Sequence, residues 1–108
     1  MALQVAGLSF QMIEALRFVV PKVKRRDRSL ADQLTRAATS VALNIAEADM
    51  SDPGNQRARF FTAAGSANET LAALKIAVAW GYIESEEASP ASALLVRILP
   101  MLWKLSRR

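Results

Sequence analysis

Residues 60–78 read FFTAAGSANETLAALKIAV, and within them Phe60, Ala64, Ala67, Leu71, Leu74 and Val78 recur at intervals of 4, 3, 4, 3 and 4. That is the 3.5-residue seam of a helix packed lengthwise against its neighbours. No part of the chain alternates with period two for long enough to suggest a strand, so the class is all-α.

Working outward, Asp49-Met50-Ser51-Asp52-Pro53-Gly54 marks a turn. Ser51 or Asp52 can accept from free helix N–H groups, and Pro53 suits a first helical position. Gly81 is placed to cap the other end of this third helix. Beyond it, a fourth helix starts between Ser85 and Pro90 and runs to about Ser106, with Leu94 or Leu95, Ile98, Leu102 and Leu105 inward. A kink is expected at Pro100, because a proline inside a helix removes a hydrogen bond and clashes with the preceding turn.

Upstream, Ser29 and Asp32 have capping-box spacing and open a second helix whose apolar face is Leu34, Ala38, Val41, Ile45 and Ala48. A first helix, from about Ser9 to Val20, turns Phe10, Ile13, Leu16 and Val20 to one side, and Pro21 biases Val20 away from helical backbone. Lys22–Arg28 then reads as a charged connection. Four helices with short connections predict an antiparallel up-down-up-down four-helix bundle, a single domain over residues 1–108.

With 52% apolar and 22% charged residues, the composition matches neither a disordered nor a membrane chain. The longest apolar run, Leu71–Ile83, is broken by Lys75 and Gly81 and falls short of the ~20 residues that cross a bilayer. The first twenty residues lack the charged start and cleavage site of a signal peptide, so a cytoplasmic location is expected. The chain contains neither Cys nor His. Disulfides, zinc clusters, thiol nucleophiles, Ser-His-Asp triads and Glu-x-x-His metal sites are therefore excluded. No enzyme activity, cofactor or metal is expected.

Ala fills 20 positions, and the third helix carries a second apolar stripe, Phe61, Ala72, Ile76 and Ala79, beside its seam. One neighbour cannot cover both stripes, which predicts a homo-oligomer. Charge is concentrated elsewhere. Lys22, Lys24, Arg25, Arg26 and Arg28 against Asp27 give +4, the net charge of the whole chain. Such a cluster can hold nucleic-acid phosphates. Antiparallel topology brings Glu84, Glu86 and Glu87 to the same end, where they neutralise part of it. At the opposite end, Arg57, Arg59, Lys104, Arg107 and Arg108 face Glu47, Asp49 and Asp52. No aromatic residue is interleaved with either cluster in sequence, which argues against base stacking.

Arg36, Ser40, Asn44 and Glu47 line one face of the second helix, and Arg59, Ser66 and Glu69 lie on the third. If the two faces meet, these seven form a structural polar network. An acid–base pair of Glu47 and Glu69 is the weaker alternative. Gly65, costly inside a helix, points to close helix approach at Ser66.

The run Gln33–Glu47 through Asn44-Ile45-Ala46-Glu47, with Arg59-Phe60-Phe61, Gly65-Ser66-Ala67-Asn68-Glu69, Pro21 and Trp80-Gly81-Tyr82-Ile83, resembles the 23S rRNA intervening-sequence proteins over residues 10 to 105. The resemblance implies a cytoplasmic bacterial four-helix bundle without established enzymatic activity, assembled as a homopentamer. It further implies kinship with the accessory variability protein of diversity-generating retroelements, which binds nucleic acid and a reverse transcriptase. Thr35, where a basic residue is usual, Ala48, where Gly is common, and Pro90 and Pro100 depart from the family pattern. The function expected is an oligomeric accessory protein that binds RNA or DNA backbone through Lys22, Lys24, Arg25, Arg26 and Arg28. The alternative is a protein-interaction scaffold without nucleic-acid contact.

Overall fold

A computed structural model describes residues 2–108, with side chains for residues 4–108; Met1, counted above in the single 1–108 unit, lies outside the described residues. Five helices and no strand occur among them: α1 (Ala2–Leu16), α2 (Val20–Arg26), α3 (Arg28–Asp49), α4 (Pro53–Ala79) and α5 (Ser85–Ser106). Helix α3 packs on α4, α4 on α5, α5 on α1 and α1 on α3, while α2 lies against α3. At about 1.5 Å per residue, the 27 residues of α4 span ~40 Å. The molecule is 42 Å long and 22 by 19 Å across, so α4 runs its full length.

Side-chain pairing fixes the direction of the central helices. Ser40 meets Ser66, Glu47 meets Arg59, and the Ala48 carbonyl accepts from Gln56. Rising numbers on α3 match falling numbers on α4, so the pair is antiparallel. Phe61 meets Trp103 near the far ends of α4 and α5 while a five-residue turn joins their near ends, which makes that pair antiparallel too.

The start of the chain differs from the sequence reading. In place of one helix over Ser9–Val20 and a loop over Lys22–Arg28, there are two helices separated by a turn at Arg17–Val19. The cause is Pro21: its ring excludes the carbonyl four residues back, at Arg17, but its missing N–H costs nothing in the first turn of α2. Val20 is helical, contrary to the bias expected before a proline. The buried stripe is Val5, Leu8, Met12, Leu16, Val19 and Val23, continuous through the break. Phe10, expected inward, is exposed.

The α3 cap also moves: the Asp27 carboxylate accepts from the Leu30 N–H at 3.0 Å, in place of a Ser29–Asp32 box. At α4, Asp52 accepts from the Asn55 N–H at 3.0 Å, with Pro53 first in the helix as read. Gly81 is the one residue with positive φ among those described, at 75°. Its N–H reaches the Val78 carbonyl and the Tyr82 N–H reaches that of Ala77, both at 2.9 Å, a Schellman closure of α4.

Phe60, Ala64, Ala67 and Leu74 of the opening seam are buried, joined by Ala63, Thr70, Ala73 and Ala77, while Leu71 and Val78 sit half-buried at its edge. On α5 it is Leu95, not Leu94, that joins Ile98, Leu102 and Leu105 in the core. The helix is continuous through Pro90 and Pro100. Both prolines are exposed, as are Glu86 and Val96, the residues four positions back whose carbonyls they leave without a helical donor.

Candidate nucleic-acid interface

Lys22, Lys24, Arg25 and Arg26 lie on α2 and Arg28 opens α3, so the cluster is helical where a loop was expected. All five are exposed. The three last basic residues of α2 sit where the negative end of its backbone dipole favours cations. Asp27, within the cluster, is committed to capping α3.

The α4–α5 turn comes to the same end, as antiparallel packing requires. Lys22 pairs with Glu87. The Arg26 guanidinium lies 5.4 Å from the centre of the Tyr82 ring, and the Tyr82 hydroxyl stands 3.4 Å from the Asp27 carboxylate. Of the three expected acids, Glu87 neutralises a cluster cation, whereas Glu84 caps α5, its N–H donating to Glu87 at 2.9 Å. That backbone donor and then Lys22 hold the Glu87 carboxyl below its ordinary value. Lys24, Arg25 and Arg28 have no carboxylate partner among the described residues.

Aromatic residues are present at this end, contrary to the impression left by sequence spacing. Trp80 and Tyr82 lie more than fifty positions from Lys22 in the chain, yet the fold brings Tyr82 against Arg26 of the cluster, with Trp80 next to it. Their rings are nearly parallel, 16° apart with centres 6.5 Å from each other. Trp80 is 68% exposed.

The seven-residue polar set divides. The Ser40 and Ser66 hydroxyls are 2.8 Å apart, and the Asn44 amide donates to the Ser40 carbonyl at 2.9 Å and to its hydroxyl at 3.1 Å. These three, half-buried, join α3 to α4. Glu47 and Arg59 form a separate pair at 2.8 Å, each about half exposed. Arg36 and Glu69 are exposed and join neither group. Arg36 instead borders a shallow groove of about 440 Å³ with Ser40, Asn44, Glu47 and Arg59. A continuous buried network does not form, because α3 and α4 meet through their small residues and leave the long side chains at the rim. Glu47 and Glu69 do not converge on one another as a paired acid–base site would require.

The family described as 23S rRNA-intervening sequence protein matches the chain over residues 2–104. This chain belongs to that family. A crystal structure of a protein of unknown function from the S23 ribosomal protein family of Bacteroides thetaiotaomicron VPI-5482 is similar to it, with a TM-score of 0.84 over 96% of this chain and 99% of that one at 19% identity. Such a likeness speaks for the helical fold alone. Among curated proteins, none matches this sequence.

The departures from the family pattern have structural settings. Thr35 is exposed on α3, its hydroxyl donating to the Ala31 carbonyl at 2.9 Å, beside Lys24 and Arg36. Ala48 is fully buried in the last turn of α3. The α3–α4 turn needs no left-handed residue, since Met50 has φ −99°, so Gly is not required there. Among the described residues no helix is long and apolar enough to cross a membrane.

Proposed function

We propose that this chain is a non-catalytic accessory protein that binds the phosphate backbone of RNA or DNA at the α2–α3 end. In this reading it is an up-down-up-down four-helix bundle, α1 and α2 forming one interrupted arm, and it works as a homo-oligomer. The observation that carries it is the set of exposed, carboxylate-free cations Lys24, Arg25 and Arg28 within a few residues of one another. The family's name, which refers to 23S rRNA, favours RNA of the two polymers. Cations spaced along α2 and the first residue of α3 match a repeating chain of phosphates and read no sequence.

Fluorescence anisotropy with a labelled RNA at low salt is the direct test. Binding is expected for the wild type and is expected to fall at least tenfold when Lys22, Lys24, Arg25, Arg26 and Arg28 are all made neutral. Undiminished binding in that variant, with its helicity intact, would remove the assignment.

A scaffold reading is favoured by the outer face of α4. Phe61, Gly65, Ala72, Ile76 and Ala79 are all exposed there, and a Cβ built on Gly65 meets nothing within 4 Å. Close approach inside the chain therefore does not explain Gly65. This low apolar face suits a second copy, and partner proteins such as a polymerase would then meet the assembled surface.

A further inference from the structure

We propose that Trp80 is a stacking platform for an unpaired base, so that the α2–α3 end takes single-stranded nucleic acid in preference to duplex. The inference rests on the phosphate-binding reading above and adds to it the form of the ligand. An indole left 68% exposed at the end of a helix keeps a large apolar ring in water, and nothing in the fold of the chain requires it there. Its backbone is held firmly. Trp80 donates to the Ile76 carbonyl at 2.9 Å, and the Schellman closure at Gly81 and Tyr82 fixes the next two residues.

Tyr82, half-buried against the core, lies nearly parallel to Trp80. Arg26 covers the Tyr82 ring, so the cation is drawn to the aromatic pair and the pair is joined to the basic helix. The result is a stacked aromatic pair, Trp80 outermost, tied through Arg26 to the helix that also carries Lys24 and Arg25. Proteins that hold single strands combine these two elements: cations follow the phosphates while ring faces accept the bases, without regard to sequence. A duplex buries its base faces within the stack and cannot use the ring. Exposed Phe18 and Phe10 lack such a setting: Phe18 has Arg17 over its ring but no second ring beside it, and Phe10 lies on α1, likewise without an aromatic partner among the described residues.

The test uses the full chain with an oligouridylate, an oligodeoxythymidylate and an RNA duplex of equal length, read by anisotropy. Trp80→Ala is expected to weaken both single strands about tenfold, leave duplex binding and the salt dependence unchanged, and recover most of the loss as Trp80→Phe. In a Trp103→Phe background, where Trp80 is the one indole, its emission is expected to be quenched by either single strand and not by the duplex. Equal loss for duplex and single strand, no loss at all, or no quenching would overturn the platform while leaving the phosphate contact in place. Absence of binding by the wild type to any of the three probes at low salt would instead remove the underlying assignment and the platform together.

Discussion

Glu87 serves two partners at once, accepting from the Glu84 N–H at the start of α5 and pairing with Lys22 across the end of the bundle. Both favour its charged form and lower its pKa, as the Asn55 N–H does for Asp52. With the folded-state value depressed, each carboxylate contributes stability that is present above its unfolded-state pKa and lost as pH falls through the lower folded-state value. An NMR titration is expected to place the Glu87 midpoint below that of an ordinary glutamate; a midpoint at or above the ordinary value would contradict the pairing. Asp27 caps α3 through the Leu30 N–H. Asp27→Ala is expected to cost about 1 kcal/mol in denaturant unfolding, and Asp27→Asn much less, since an amide oxygen still caps. Gly65→Ala is expected to stabilise an isolated subunit by about 0.5–1 kcal/mol, because the new methyl group meets nothing and helix propensity improves. If α4 packs on a second copy through this face, the same change weakens the assembly, and light scattering against dilution separates the two effects.

Among the elements, α4 was the most legible, and its very regularity concealed which side faced inward. It is apolar around much of its circumference, so the stripe through Leu71 and Val78 and the buried one through Thr70 and Ala77 score alike by spacing. Thr70 is polar by type, yet its hydroxyl donates to the Ser66 carbonyl at 2.8 Å and needs no water. At the other extreme, α1 and α2 are hard to read because the spacing of Phe10, Ile13 and Val20 competes with that of the buried Val5, Leu8 and Met12, and because a basic run beside Pro21 looks like a loop. A pair of substitutions measures this directly. Met12→Ala, at a fully buried site, is expected to cost about 2–5 kcal/mol of unfolding free energy, while Phe10→Ala at an exposed one stays within about 0.5 kcal/mol. The reverse order would restore the face first read from the sequence.

For the whole molecule, the charge distribution was readable and its aromatic company was not. Counting residues along the chain places the basic cluster and predicts that the acids of the α4–α5 turn come to meet it, because antiparallel helices return to the same end. It cannot show that Trp80 and Tyr82 arrive with those acids, since no pattern within residues 22–28 encodes what a distant turn brings. The polar set failed for a related reason: helical spacing puts Arg36 and Glu69 on faces that look toward one another, but small residues at the α3–α4 contact leave both at the rim. The central claim, that the α2–α3 end binds a phosphate backbone, is tested most directly by the salt dependence of RNA affinity. With Lys24, Arg25 and Arg28 as the free cations, the logarithm of the association constant is expected to fall against the logarithm of salt with a slope of about −2 to −3 per chain. Neutralising the five cluster residues should bring that slope close to zero, whereas a slope equally steep in wild type and variant would contradict the claim.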